Sequence, residues 1–161
     1  MLPYLLYLIG LLVLAVLALR SVRARDRYSA ASVRPGAETG PIEAYFARIE
    51  ALSAEGHAGF FVTAKDASSD RFIQMGAGRD TDGALRYRFD LPVTDWSRAY
   101  AVRIEAEARH RGLAPYRNTN DQMTFLDIDF PTSGDHAVFA RWVIAEVFGL
   151  SAEARFEITW G

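Results

Sequence analysis

The sequence predicts an α+β domain that follows an N-terminal transmembrane helix. Two observations predict this arrangement. Residues 1–19 contain no charged side chain, whereas charged and apolar residues are mixed throughout the rest of the 161-residue chain. That remainder contains both segments with the two-residue alternation of half-buried strands and segments with the spacing of amphipathic helices.

Residues 1–19 form an apolar run that predicts a single-pass membrane anchor. As a helix the run would be about 28 Å long, close to the hydrocarbon thickness of a bilayer. Positive residues next to a membrane span stay on the cytoplasmic side. We therefore expect the C-terminal domain to lie at the cytoplasmic face of the inner membrane. The basic flank consists of Arg20, Arg23, Arg25 and Arg27.

Three alternatives for this N-terminal run stay open: a cleaved signal peptide, a buried core helix, and an anchor with the domain outside. A signal peptide needs positive charge before its apolar core and a small-residue cleavage site. Here no charge precedes the run, and Val22-Arg23-Ala24 is a poor cleavage box. The anchor with a cytoplasmic domain is therefore the preferred interpretation.

The charge of the chain is divided unevenly. We expect residues 20–40 to form a basic juxtamembrane segment and a flexible linker, and residues 41–161 to form the cytoplasmic domain. From Tyr28 onward there are 14 basic and 19 acidic residues. An acidic domain has no electrostatic reason to bind nucleic acid. Cysteine is absent, which excludes disulfides and thiolate metal sites.

Periodicity predicts the order α-β-β-β-α-β-β-α, with the helices packed on one face of an antiparallel sheet. The first three strands can form a meander, and the tail can add an edge strand. The predicted helices are Pro41–Glu55, Asp95–Arg111 and Asp135–Phe148; the predicted strands are Ala58–Ala64, Arg71–Ala77, Ala84–Leu91, a short one near Ala114–Arg117, Met123–Phe130 and the tail strand Arg155–Trp160.

This order, with the strand segments FFVTAK, RFIQMGAG and LRYRFDLPV and a closing apolar helix after FLDIDFP, resembles a known fold. It is the fold of the type III secretion chaperone-like and YbjN-like (TY-Chap) bacterial superfamily. The resemblance covers residues 41–150 and is mainly topological. It implies a non-enzymatic protein, usually dimeric, that holds other polypeptides. We expect no cofactor.

Two carboxylates on one strand face are candidate metal ligands or acid–base groups. Asp127 and Asp129 share a face of their predicted strand, and Asp121 is nearby in sequence. Paired carboxylates can bind a divalent cation. The alternative is a solvated strand face on which these side chains pair with Arg86 and Arg88 across strands.

Two further polar segments are weaker candidates for a functional site. The segment Asp80-Thr-Asp-Gly83 resembles a fragment of a calcium loop, but it lacks the first ligand and the closing glutamate, so a hairpin turn is expected. His136, beside Asp135, is a possible general base; the alternative is a helix-cap or surface residue.

The third predicted helix is apolar around most of its circumference. A helix of this kind is either fully buried or shared with a partner. Both interpretations stay open. The candidate partner-interface residues are Phe139, Trp142, Val143 and Phe148.

These observations predict a membrane-anchored, non-enzymatic adaptor that recruits another polypeptide at the cytoplasmic membrane face, as a homodimer or with a protein client. One alternative is a carboxylate-based metal-binding or hydrolytic domain that uses Asp127 and Asp129. A second alternative is a structural subunit of a membrane complex, with residues 1–19 as its main contact surface.

Overall fold

The computed structural model describes residues 33–57, 59–119 and 123–161. Residues 33–161 form one compact unit. No helix in the described part of the chain is long and apolar enough to span a bilayer. The predicted anchor at residues 1–19, its flank of Arg20, Arg23, Arg25 and Arg27, and Asp121 lie outside the described residues.

The described residues form an α+β domain of three α-helices and a seven-stranded antiparallel sheet. The strand order in the sheet is β1-β7-β2-β3-β4-β6-β5. The strands are β1 (Gly36–Gly40), β2 (Phe60–Asp66), β3 (Phe72–Arg79), β4 (Leu85–Pro92), β5 (Tyr116–Thr119), β6 (Thr124–Phe130) and β7 (Phe156–Trp160); the helices are α1 (Ile42–Ala54), α2 (Arg98–His110) and α3 (Ser133–Trp142).

The central meander confirms the prediction from strand periodicity. β2, β3 and β4 pair as consecutive antiparallel neighbours, and β4 then pairs with β6. On β4 the predicted apolar face is buried, with Phe89 and Leu91 both at 0% exposure. This alternation follows from the two-residue period of a strand with one face in the core.

Two strands differ from the prediction. Gly36–Gly40, expected within the flexible linker, is the edge strand β1, and β7, expected at an edge, lies between β1 and β2. Phe156 and Ile158 of β7 are 2% and 0% exposed. The backbone N–H and C=O groups on both edges of so buried a strand need hydrogen-bond partners. β2 supplies them on one edge, and β1 supplies them on the other.

The close approach of β1 to β7 depends on a glycine. Gly36 lies opposite Trp160, and a Cβ atom at this position would overlap the indole ring. The guanidinium of Arg48, from α1, lies 3.8 Å from the centroid of the same ring. Trp160 is therefore packed between a bare backbone and a cation, a favourable arrangement for an indole.

The third helix is not continuous. α3 ends at Trp142, and a π-helical turn spans Val143–Val147 where the sequence predicts regular α-helix. Two arginines bind backbone carbonyls at the end of this turn. Arg103 donates to the Glu146 carbonyl and Arg71 donates to the Phe148 carbonyl, both at 2.6 Å. Cations at a helix C-terminus satisfy its free carbonyls, and these contacts stabilise the turn.

The strand residues that alternate with the core residues form a second, polar surface, here called the outer face. Most of its side chains are half-buried or exposed, in contrast to the core positions between them. The members used below are Phe61 and Thr63 on β2, Gln74, Gly76 and Gly78 on β3, Arg86, Arg88 and Asp90 on β4, Tyr116 and Asn118 on β5, and Asp127 and Asp129 on β6.

The substitution Gly36→Ala tests the packing of Trp160. The added methyl group must displace the indole, because it would occupy the same space. We expect the free energy of unfolding to fall by about 1–3 kcal/mol, the usual cost of overpacking. Urea denaturation followed by tryptophan fluorescence measures the change.

Gly78→Ala is the matched control, since it makes the same change in a strand with no heavy atom within 4 Å of the new Cβ. Its effect should stay within about 0.5 kcal/mol. Equal effects of the two substitutions would contradict the packing described for Trp160.

Candidate functional site

The β4–β6 ladder determines which charged residues of the outer face meet. Arg88 lies opposite Asp129, and its Nε donates to Asp129 Oδ1 at 3.0 Å, as the cross-strand pairing hypothesis predicts. Asp127 lies opposite Asp90, so the expectation that it faces an arginine is wrong. Arg86 lies beyond the last β4–β6 pair and binds Asp80 of the hairpin turn at 2.7 Å.

Asp90 and Asp127 form a like-charged pair, here called the carboxyl pair. Directly opposite residues on one face of an antiparallel ladder have Cβ atoms about 5 Å apart. Asp127 is only 2% exposed, and its Oδ1 atom has no hydrogen-bond partner among the described residues. Asp90 Oδ2 accepts a long hydrogen bond of 3.5 Å from Gln74 Nε2, and Thr63 Oγ1 donates to Gln74 Oε1 at 3.2 Å.

The environment of the carboxyl pair favours its protonated form. Burial, together with the charge of Asp127, raises the pKa of Asp90 to about 7, against a smaller opposing effect of Arg88. Burial also raises the pKa of Asp127, although a hydrogen bond from Asn118 opposes it. Two carboxylates in one poorly solvated place resist simultaneous ionisation. The pair therefore holds a proton close to neutral pH.

A groove of about 350 Å³ lies on the outer face beside Asp90. Gly76 and Gly78 contribute only backbone to it. Glycine inside a strand costs stability, and it commonly marks a place where another group approaches the backbone closely. The groove is lined by Gly76, Ala77, Gly78, Arg79, Asp80, Arg86, Arg88, Asp90 and Asp129.

Most charged groups around the groove already have a partner in an ion pair or a hydrogen bond. Asp80 binds Arg86, Arg88 binds Asp129, and Arg79 donates to the Gly83 carbonyl at 2.8 Å. Across the described ranges, no ion pair within 4 Å includes Asp90 or Asp127.

Two aromatic side chains lie on the outer face on either side of this charged region. Phe61 is 44% exposed and lies opposite Gly76, at the β2 side. Tyr116 is 39% exposed and lies at the β5 side, where its hydroxyl donates to Asp129 Oδ2 at 3.3 Å. Burial, and after it the Asp129 charge, raise the pKa of Tyr116 to about 12, so this hydroxyl stays protonated.

Of the predicted metal site only Asp127 and Asp129 lie among the described residues, so the site with Asp121 stays a prediction. No group of three His, Asp or Glu side chains there could hold a metal ion. Asp129 is engaged with Arg88, and Asp127 lies beside Asp90. The Asp80–Gly83 segment is the β3–β4 hairpin turn, as expected: Asp80 Oδ1 accepts from the Asp82 backbone, and Gly83 has a φ of 85°.

His136 is a core residue, so the expectation of a cap or surface position is wrong. It is 0% exposed and packs against the rings of Tyr45, Phe89 and Phe130. Burial lowers the pKa of His136 to about 3, and neither ring nitrogen has a hydrogen-bond partner in the part of the chain that the structure describes. Thr132 caps the helix instead, accepting from the Asp135 backbone at 3.1 Å. His136 therefore faces the core and cannot join Asp127 and Asp129.

The four candidate partner-interface residues lie mostly inside the domain. Phe139, Val143 and Phe148 are 1%, 0% and 4% exposed. Trp142 is partly exposed, and the guanidinium of Arg111 lies 5.0 Å from the centroid of its ring. The domain core accounts for the apolar character of this helix without a partner.

The sequence analysis did not identify Asp90, or the two glycines of the groove, Gly76 and Gly78, as functional residues. Asp90 lies on the predicted polar face of its strand, but nothing in the sequence gives the register that puts it opposite Asp127. The available signal was the spacing of Gly76 and Gly78, two glycines on one face of a strand that is otherwise well patterned.

Comparison with known proteins gives no further identification: no family model, no curated protein and no solved structure matches this chain.

The carboxyl pair predicts that stability depends on pH in a particular direction. Because the pKa of Asp90 is raised in the folded state, the folded protein binds a proton that the unfolded chain releases. Its contribution to the free energy of unfolding is complete below about pH 4 and is lost as pH rises through about 7.

Asp90→Asn removes this titration. At pH 8 we expect the variant to be more stable than the wild type by about 2–4 kcal/mol in urea denaturation, with a much smaller difference at pH 5. Asp70→Asn, at a side chain that is 89% exposed and paired with Lys65, is the control. An effect of Asp90→Asn that is the same at both pH values would contradict the raised pKa.

Proposed function

We propose that this protein is a membrane-anchored, non-enzymatic binding module that recruits another polypeptide through the outer face of its sheet. In this proposal residues 1–19 cross the inner membrane, and the arginines that follow keep the domain at the cytoplasmic side. The partner is a protein client, or a second copy of the chain.

The observation that carries the proposal is the groove over Gly76 and Gly78. Two strand glycines on one face cost stability in a free domain, and that cost is understandable if a partner segment contacts the backbone there. A groove of about 350 Å³ accommodates one or two side chains rather than a large cofactor.

The composition around the groove also favours protein binding. Aromatic residues and arginine are enriched in protein interfaces. Phe61 and Tyr116 are two of the five large hydrophobic residues that are exposed in the described domain, and they lie on either side of Arg88. An exposed aromatic supplies contact area at a low cost in side-chain entropy.

An enzymatic function has less support. Arg88 neutralises Asp129, and His136 is separated from the outer face by the sheet. The resemblance to the type III secretion chaperone-like and YbjN-like superfamily favours the same conclusion, because proteins of that fold hold polypeptides.

Site-specific photo-crosslinking of the full chain in its own membrane tests the proposal. Phe61→p-benzoylphenylalanine places a reactive ring on the outer face with little change in shape. We expect covalent adducts with a discrete polypeptide, and we expect the adduct to stay in membranes washed with alkaline carbonate.

Val102→p-benzoylphenylalanine is the control, because Val102 lies on α2 and is 62% exposed. It should give no such adduct. The proposal is wrong if the two positions give the same adducts or if neither gives any. Release of the chain by carbonate would contradict the anchor alone. A self-adduct would identify the partner as a second copy.

A further inference from the structure

The two edges of the sheet differ in how their backbone groups are used. β1 forms one edge and β5 forms the other. At the β1 edge the Thr39 carbonyl accepts a hydrogen bond from the Arg155 guanidinium at 3.4 Å. At the β5 edge all four residues, Tyr116–Thr119, are exposed. An exposed edge strand presents a row of backbone donors and acceptors with which another strand can pair.

The register of the β4–β6 ladder shows which edge of β6 bonds to β5. Val93 and Thr124 follow Pro92 and Phe125 in this ladder, and Val93 N donates to the Thr124 carbonyl at 2.7 Å. Hydrogen-bonded positions alternate along an antiparallel strand. The even-numbered residues of β6 therefore bond to β4, and its odd-numbered residues bond to β5.

The same alternation divides the four residues of β5. Tyr116 and Asn118 lie opposite odd-numbered residues of β6 and bond to them. The N–H and C=O groups of Arg117 and Thr119 therefore point to the other side, where the described sheet has no further strand. Each of these two residues supplies one donor and one acceptor to the free edge.

The side chains of β5 leave this edge open. Natural edges are often blocked by lysine or proline, and Tyr116–Thr119 contains neither. Its charged side chain, Arg117, lies on the helix side of the sheet and is paired with Glu105 at 2.9 Å. On the outer face the middle of the edge presents the neutral amide of Asn118. Two such edges can therefore approach each other without an unpaired charge between them.

We propose that β5 pairs with β5 of a second copy, antiparallel and across a two-fold axis at Asn118, so that the two sheets become one. In this register Arg117 of each copy lies opposite Thr119 of the other, and both pairs exchange backbone hydrogen bonds. The two Asn118 amides meet on the outer face, and each amide has donors and an acceptor, so it is complementary to its own copy. This inference adds a second interface to the proposed function and rests on it for the anchor alone.

The proposed anchor favours a second copy over another strand as the occupant of the β5 edge. Two chains held in one bilayer meet at a raised effective concentration, so a short pairing suffices. The two-fold axis is perpendicular to the joined sheet, so both outer faces point to the same side. The chain enters the domain at the opposite edge, before β1, so the tethers do not obstruct β5.

The pairing gives the protein two binding grooves on one continuous surface. About five strand spacings separate β4 of one copy from β4 of the other, which is roughly 24 Å. Both grooves open on the same face of the joined sheet. A partner with two contact segments at this separation would gain affinity by binding both grooves together.

Asn118→Cys in the full chain, purified in detergent, tests the two-fold axis. The chain contains no other cysteine, so any disulfide joins two copies. Directly opposite residues at a non-hydrogen-bonded position have Cα atoms about 4.5 Å apart, a distance that a disulfide spans. Mild oxidation should convert most of the chain to a cross-linked dimer, which non-reducing electrophoresis measures.

Ala37→Cys is the matched control, because Ala37 is an exposed residue of the other edge strand. Under the same oxidation it should stay almost entirely monomeric. Equal cross-linking of the two variants, or no cross-linking at Asn118→Cys, would overturn the β5 pairing.

Thr119→Pro tests the backbone hydrogen bonds of the pairing. Proline removes the outward N–H of Thr119 and leaves the bonds between Asn118 and β6 in place. Because each copy loses one bond, the dissociation constant of the dimer should rise about tenfold or more in sedimentation equilibrium. Thr119→Val keeps the N–H and loses the hydroxyl that contacts Thr124, so it should change this constant less than about twofold.

A wild-type chain that stays monomeric, or equal dissociation constants of Thr119→Pro and Thr119→Val, would also contradict the pairing. Far-ultraviolet circular dichroism verifies that each variant is folded. Failure here is distinguishable from failure of the proposed function. Phe61 lies four strands from β5, so its adducts report on the outer face whether or not two copies pair.

Discussion

The pairing of β4 with β6 is the constraint on which the properties of this domain depend. It puts Asp90 directly opposite Asp127 on a sheet face where neither side chain is fully hydrated. One register step in either direction would move every β6 side chain to the other face, exposing Leu126 and Ile128. The burial of these two residues therefore fixes the carboxyl pair in place, whatever its electrostatic cost.

The apolar core thus maintains an unfavourable arrangement on the opposite face of the same strands. Phe89 and Ile128 form one cross-strand pair of the core, and the next pair along the ladder is Asp90 with Asp127. Burying large apolar side chains contributes about 1.5–3 kcal/mol each, enough to offset the cost of holding two carboxyl groups side by side. Functional sites commonly retain strain or unpaired groups that the rest of the fold stabilises.

Glycine has two different roles in this sheet. At Gly36 the ring of Trp160 occupies the space that a side chain would take, so this glycine allows β1 to pack against β7. At Gly76 and Gly78 the space stays open and forms the floor of the groove. The contrast separates a structural glycine from one that a binding function explains, and it supports the outer face as the place where a partner contacts the domain.

The sequence predicted the elements with a clear period and missed what depends on register. The alternation of Leu85, Tyr87 and Phe89 identified β4, and the spacing of Ile42, Phe46 and Ile49 identified α1. Periodicity gave no information on which strands are neighbours, so the edge strand β1 and the place of β7 between β1 and β2 were not foreseen. Asp127 was recognised as unusual, but its counterpart Asp90 could be identified only from the β4–β6 ladder.

His136 shows a related limit. Its position in the first turn of a helix, next to Asp135, suggested a general base or a cap or surface residue. In the structure His136 lies on the buried face of the helix, together with Phe139 and Ala140. Which face of a helix is buried depends on its packing against the rest of the domain.

The most direct test of the central claim is a carbon-13 NMR titration of the side-chain carboxyl groups in the full chain. The account predicts that the Asp90 carboxyl titrates with a midpoint near 7, and that this midpoint falls when Asp127 is replaced by asparagine. Independent titration of both carboxyl groups below about pH 5, as for exposed aspartates, would show that the pair holds no proton near neutral pH and would contradict the account.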